Sequence, residues 1–73
     1  MRANRPLRAE EICRDFLVLN PGSVEHLSLL GHALMKQKRL DEAEQQIRFA
    51  LSLKPDMPSL HEDLGSVLAL KGR

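Results

Sequence analysis

The chain has 73 residues, 42% apolar and 29% charged, which describes one small soluble domain and leaves no room for two independent cores. Its 11 Lys and Arg balance 10 Asp and Glu to a net charge of +1, against a dedicated nucleic-acid or polybasic membrane surface. The longest apolar run is Phe16-Leu17-Val18-Leu19, too short for a secretory signal or a membrane span, and the single Cys13 cannot close an internal disulfide, which points to a reducing cytoplasm.

Residues 1–4 are expected to form a flexible N-terminus, followed by a first helix over 7–19. A second helix is predicted over 24–37, where Val24, Leu27, Leu30, Gly31 and Leu34 recur at helical spacing. Lys36, Lys38 and Arg39 place cations at its end, and the break falls at Lys38 to Leu40. Asp41 with Glu44 three residues on reads as an N-cap with its reciprocal carboxylate, opening a third helix over 41–53 with Ala43, Ile47, Ala50 and Leu51 on its inner face. Pro55 stops that helix, and Pro58 suits the first turn of a fourth, over 58–71, that carries Leu60, Leu64, Val67, Leu68 and Leu70.

The elements repeat. Laying residues 1–39 on 35–73 gives 12 identical pairs in 39, where unrelated sequences give roughly 2 or 3. Ala9, Glu10, Arg14, Leu17, Leu19 and Pro21 match Ala43, Glu44, Arg48, Leu51, Leu53 and Pro55. Leu30, Gly31, Leu34 and Arg39 match Leu64, Gly65, Leu68 and Arg73, while Met1 matches Met35 and Arg5 matches Arg39. A 34-residue period of two amphipathic helices predicts an all-α fold of antiparallel helix-turn-helix repeats, stacked as a right-handed solenoid of four helices. Gly31 and Gly65 are expected to admit a neighbouring backbone, and Ala43 and Ala50 to face large side chains.

The stretch Leu27 to Pro55 resembles the tetratricopeptide repeat, with Leu30-Gly31, Leu34, Ala43, Ile47, Ala50 and Pro55 at that family's key places. Leu27 and Leu34 replace the usual tryptophan and tyrosine, and Phe16 stands at a usual small residue. Lys38 takes the place of a frequent glycine, where a left-handed turn costs roughly 1–2 kcal/mol; Gly72 keeps that glycine. The resemblance divides a single domain over 5–73 into a half repeat at 5–23, a whole one at 24–57 and a half at 58–73. Its ends carry apolar faces without polar capping helices. Either the chain is a piece of a longer protein, or it forms a homo-oligomer through its first or last helix; the alternative to self-association is that Leu60 to Leu70 fold back fully onto the helix of residues 41–53 and leave only a modest exposed patch.

Catalytic motifs are lacking: no phosphate-binding Gly loop, no HExxH, no CxxC and no nucleophile elbow, so no enzyme, metal site or cofactor is expected. Ser28, His32 and Lys36 follow one another by single turns, which is also ordinary helix surface. Cys13 falls at the repeat place of Ile47 and reads as a small buried hydrophobe; His61 falls at Leu27, a packing place. His26 has no evident partner.

What the resemblance implies is a protein-binding groove lined by the first helix of each repeat. Here it would hold Glu25, Ser28, His32, Met35 and Lys36 from one helix, and Ser59, Glu62, Ser66 and Ala69 from the next. The subfamily that clamps chaperone-tail carboxylates has Lys and Asn at matching places, where this chain has Ser28, His32 and Glu62. Glu62 repels a carboxylate, so a neutral or basic partner segment is expected. The same positions also suit plain solvated surface. The function this favours is a scaffold or adaptor module. The alternative is the non-catalytic arm of a larger enzyme, since AEEICRDFLVLNP and LHEDLGSVLALKGR look like repeat arms that precede sulfotransferase domains in some bacterial proteins; phosphoadenosine phosphosulfate would then bind beyond Arg73. A DNA-binding helix-turn-helix is disfavoured by Asp41 and Glu42, which repel phosphate at the third helix's start.

Overall fold

A computed structural model of the chain describes residues 6–72. The flexible stretch expected at 1–4 and the repeat pairs involving Met1, Arg5 and Arg73 lie outside the described residues. Four helices follow in order, α1 (Pro6–Leu19), α2 (Val24–Lys36), α3 (Leu40–Leu53) and α4 (Pro58–Lys71), each boundary within a residue of the sequence expectation. The turns reverse the chain at each step, so α2 and α4 run side by side in the same direction and α3 packs against both. This is the all-α helical repeat expected from the 34-residue period.

Local chemistry sets the boundaries. Ser23 caps α2: its Oγ accepts the His26 backbone N–H while its hydroxyl donates to His26 Nδ1 at 2.8 Å. His26 therefore does have partners, since its ring also stacks on Phe16 with centroids 3.7 Å apart. At the other end of α2, Lys38 N–H reaches the Met35 carbonyl and Arg39 N–H the Leu34 carbonyl, a Schellman closure that holds Lys38 at φ 65°. The expected left-handed turn is thus present with a lysine in it, whereas Gly72 sits right-handed at φ −74°. Pro58 occupies the first turn of α4, as its missing N–H favours.

One cap differs from expectation. The N-cap of α3 is Arg39, without a side-chain cap bond, and Asp41 lies inside the first turn. The helix starts earlier because Leu40 packs against the core, and the carboxylates are drawn elsewhere: Asp41 and Glu44 both reach Lys71 Nζ on α4, at 2.7 and 2.6 Å.

The core lies where α2, α3 and α4 meet. Leu30, Leu34, Ile47, Leu60 and Val67 are fully buried, each contributing roughly 1.5–3 kcal/mol by leaving water. Cys13, Ala43 and Val67 close one cluster around Leu30, Leu34 and Ile47; Val24, Leu27, Ala50 and Leu60 form a second beside it. Cys13 is the small buried hydrophobe anticipated, and burial pushes its thiol pKa up. His61 is not: it is exposed, and its Nε2 donates to the Pro55 carbonyl at 2.8 Å. Leu27 is buried because Ala50 and Leu60 join it in its cluster, a setting His61 lacks.

The two repeat glycines also part company. A Cβ on Gly31 would lie 2.9 Å from Ile47 Cγ1 and 3.7 Å from the Ala43 carbonyl oxygen, so any larger residue there would push the Ile47 side chain aside. A Cβ on Gly65 would meet nothing within 4 Å. The close approach expected at both is confined to Gly31.

Candidate protein-binding surface

The adjacent helices α2 and α4 form a polar face with one built feature, a shared carboxylate. Asp63 on α4 accepts the Ser28 hydroxyl on Oδ2 at 2.8 Å and faces His32 Nε2 with Oδ1 at 2.7 Å. A carboxylate only accepts, so His32 carries its proton on Nε2. The carboxylate sits between hydroxyl and imidazole, whereas a nucleophilic serine needs the imidazole beside it. Ser28 and His32 tie α2 to α4.

Around that tie, Glu25 and Lys36 are exposed on α2, and Ser59, Glu62, Ser66 and Ala69 are exposed on α4. Met35 departs from the expected lining, since it is half-buried against the cluster of Leu30, Leu34 and Ile47. Because α2 and α4 share a direction, Glu25 and Glu62 fall toward their starting ends and Lys36 toward the other, which gives the face an acidic and a basic end.

Behind this face runs a repeated acidic clamp that the sequence left unread. Glu10 is buried, yet it accepts Gln37 Nε2 at 2.9 Å and Arg39 Nη1 at 2.8 Å on Oε1, and Arg14 Nε at 2.9 Å on Oε2. The Gln37 amide, with the Arg14 and Arg39 guanidiniums, holds its carboxyl below the usual range despite burial. One period later, Glu44 accepts Lys71 and Arg48, and its pKa is lowered by the same means. The signal was available: Glu10, Arg14 and Arg39 all recur at 34 residues' distance.

Two apolar grooves also open among the described residues. One of about 280 Å³ opens between α1 and α2, lined by Ala9, Ile12, Cys13, Leu29, His32, Ala33 and Lys36. The other, about 380 Å³, lies between α1 and α3 over Leu27 and Leu30, with Val18 and Phe49 at its sides.

The family model of the tetratricopeptide repeat matches residues 1–58 and 28–73, together the whole chain. The chain belongs to the tetratricopeptide repeat family. Neither the curated proteins nor the solved structures include a significant match. As a tetratricopeptide repeat chain, it has a helical architecture that often mediates contacts between proteins, and none of its described helices is long and apolar enough to cross a membrane.

Proposed function

We propose that this tetratricopeptide repeat chain is a non-catalytic adaptor of the cytoplasm that receives a neutral or basic extended segment of a partner protein across the α2/α4 face. The observation that carries the reading is the exposed pair Glu25 and Glu62 on two helices held in register by Asp63. Acidic side chains there favour a cationic segment and repel a carboxylate terminus. Cys13, buried with a raised thiol pKa, suits structure better than redox chemistry. The exposed apolar residues at its two ends, Ile12 and Leu29 at one and Leu68 and Leu70 at the other, support a second role, joining copies of the chain.

A peptide array scored by fluorescence polarisation tests the first role. Neutral and basic peptides should bind, and the double variant Glu25→Lys, Glu62→Lys should weaken them by about tenfold, or 1.4 kcal/mol, without moving the thermal midpoint. A preference for acidic peptides, or no binding at all, would contradict it.

A further inference from the structure

The groove between α1 and α2 has a filled counterpart inside the same molecule. Helix α2 lies against α3 and α4, where Gly31 sits on Ile47 and Ala43, and where Ala43, Ile47 and Val67 have no exposed surface. Moving those seat residues back by the 34-residue period gives Ala9 for Ala43, Cys13 for Ile47, Ala33 for Val67 and Leu29 for Asp63. All four line the 280 Å³ groove. The groove therefore repeats the seat of α2, with α1 and α2 as walls in place of α3 and α4.

The helix that fits such a seat is one patterned like α2, and moving α2 forward by the same period gives α4. Leu30, Gly31 and Leu34 become Leu64, Gly65 and Leu68. Gly65 has open space where Gly31 has Ile47, and Leu68 is 42% exposed where Leu34 is fully buried. The described residues thus present both an open seat and an unseated helix face of matching pattern, at different places on their surface.

We propose that α4 of one copy docks into the α1/α2 groove of the next, with Gly65 against Cys13 and with Glu62 and Ser66 beside Leu29. This deepens the self-association reading above by assigning its surfaces and register. The interface is heterologous, pairing two different patches, and so builds open chains of copies in place of a closed dimer. It also sets α2, α4 and the next copy's α2 side by side, so stacking lengthens the polar face without covering it. Contacts are poorer than in the internal seat. Cys13 fills less space than Ile47, and Leu29 replaces the Asp63 that ties Ser28 and His32. The stack is accordingly a reversible association.

Cross-linking reads the register directly. A Cβ at Gly31 lies 2.9 Å from Ile47 Cγ1, which keeps the equivalent Cβ pair within about 4.4 Å and so within disulfide reach. Under mild oxidation, Gly65→Cys in the full chain should join Cys13 of a neighbouring copy and give a ladder of dimers, trimers and longer species on a non-reducing gel. Adding Cys13→Ser should collapse the ladder to dimers at most. Ile12→Glu, on the groove wall, should abolish the ladder while the helical signal and the binding of α2/α4 peptides persist. Dimers alone with Cys13 intact would mean α4 pairing with α4 and overturn the proposed register. A lack of cross-links with a native mass that still rises with concentration would also overturn the register, leaving self-association standing. A mass that stays monomeric would overturn both, while peptide binding would still stand or fall by its own assay.

Discussion

The seat of α2 and the α1/α2 groove stand one repeat apart with unequal outcomes. Where three helices meet, Ile47, Ala43 and Val67 lose all contact with water, and Asp63 is anchored by Ser28 and His32. Where only α1 and α2 meet, Ala9, Cys13, Ala33 and Leu29 line an open groove; Cys13 and Ala33 are buried there, but Leu29 is more than half exposed. A repeat's apolar face becomes core only when a neighbour covers it. Identical residues consequently differ in worth along the period, and the glycine pair Gly31 and Gly65 shows it most plainly.

Substitutions that treat the two places alike should therefore give unlike results. The largest difference is expected for Ile47→Ala, which empties a fully buried place and should cost about 2–5 kcal/mol in chemical denaturation. Cys13→Ala removes a single buried atom beside the groove and should cost less, about 0.5–1.5 kcal/mol. Equal losses would erase the distinction between seat and groove.

Next come the glycines. Gly31→Leu overpacks the contact with Ile47 and should cost about 1–3 kcal/mol. Gly65→Ala meets open space in a helix interior, so in dilute solution it should raise stability by about 0.8 kcal/mol, the propensity gain of alanine over glycine. An unchanged midpoint for Gly31→Leu, or a loss for Gly65→Ala, would show that the two glycines share one environment.

The smallest effects concern charge and turn. Glu10 and Glu44 have lowered pKa values, so they titrate lower in the folded chain than in the unfolded one. Their stabilisation is complete above the unfolded value of about 4.3 and is lost as pH falls through the folded values. Thermal midpoints should stay level from neutral pH down to about 5 and drop below about 4.3, and Glu10→Gln should flatten that drop. Lys38→Gly should add about 1 kcal/mol by relieving the left-handed backbone; an unchanged or lower calorimetric midpoint at neutral pH would contradict this.

Helix boundaries were legible because they are local: Pro55 and Pro58 punctuate the chain, and Leu27, Leu30 and Leu34 mark an inner face without reference to anything distant. The cap of α3 departs from its local sequence signature because Asp41 and Glu44 have a stronger use, 30 and 27 residues away, in binding Lys71. Glu10 was overlooked for a similar reason. Its identity with Glu44 was visible as part of the repeat, but its burial depends on Gln37 and Arg39 folding over it. The polar residues of the α2/α4 face were visible as a set, whereas Asp63, which fixes their geometry, falls at the repeat place of Leu29 and left no periodic trace. The resemblance assigns Met35 to the groove by its place in the repeat, whereas its neighbours in the core decide its burial.

The most direct test of the central claim, that α4 and the α1/α2 groove are complementary halves of one seat, is the mass of the native chain against concentration by sedimentation equilibrium. A mass that climbs without a plateau at the dimer, and that Ile12→Glu returns to the 8.3 kDa of a single chain, is what the account predicts. A mass that stays at one chain up to millimolar concentration, or stops at a dimer, would contradict it.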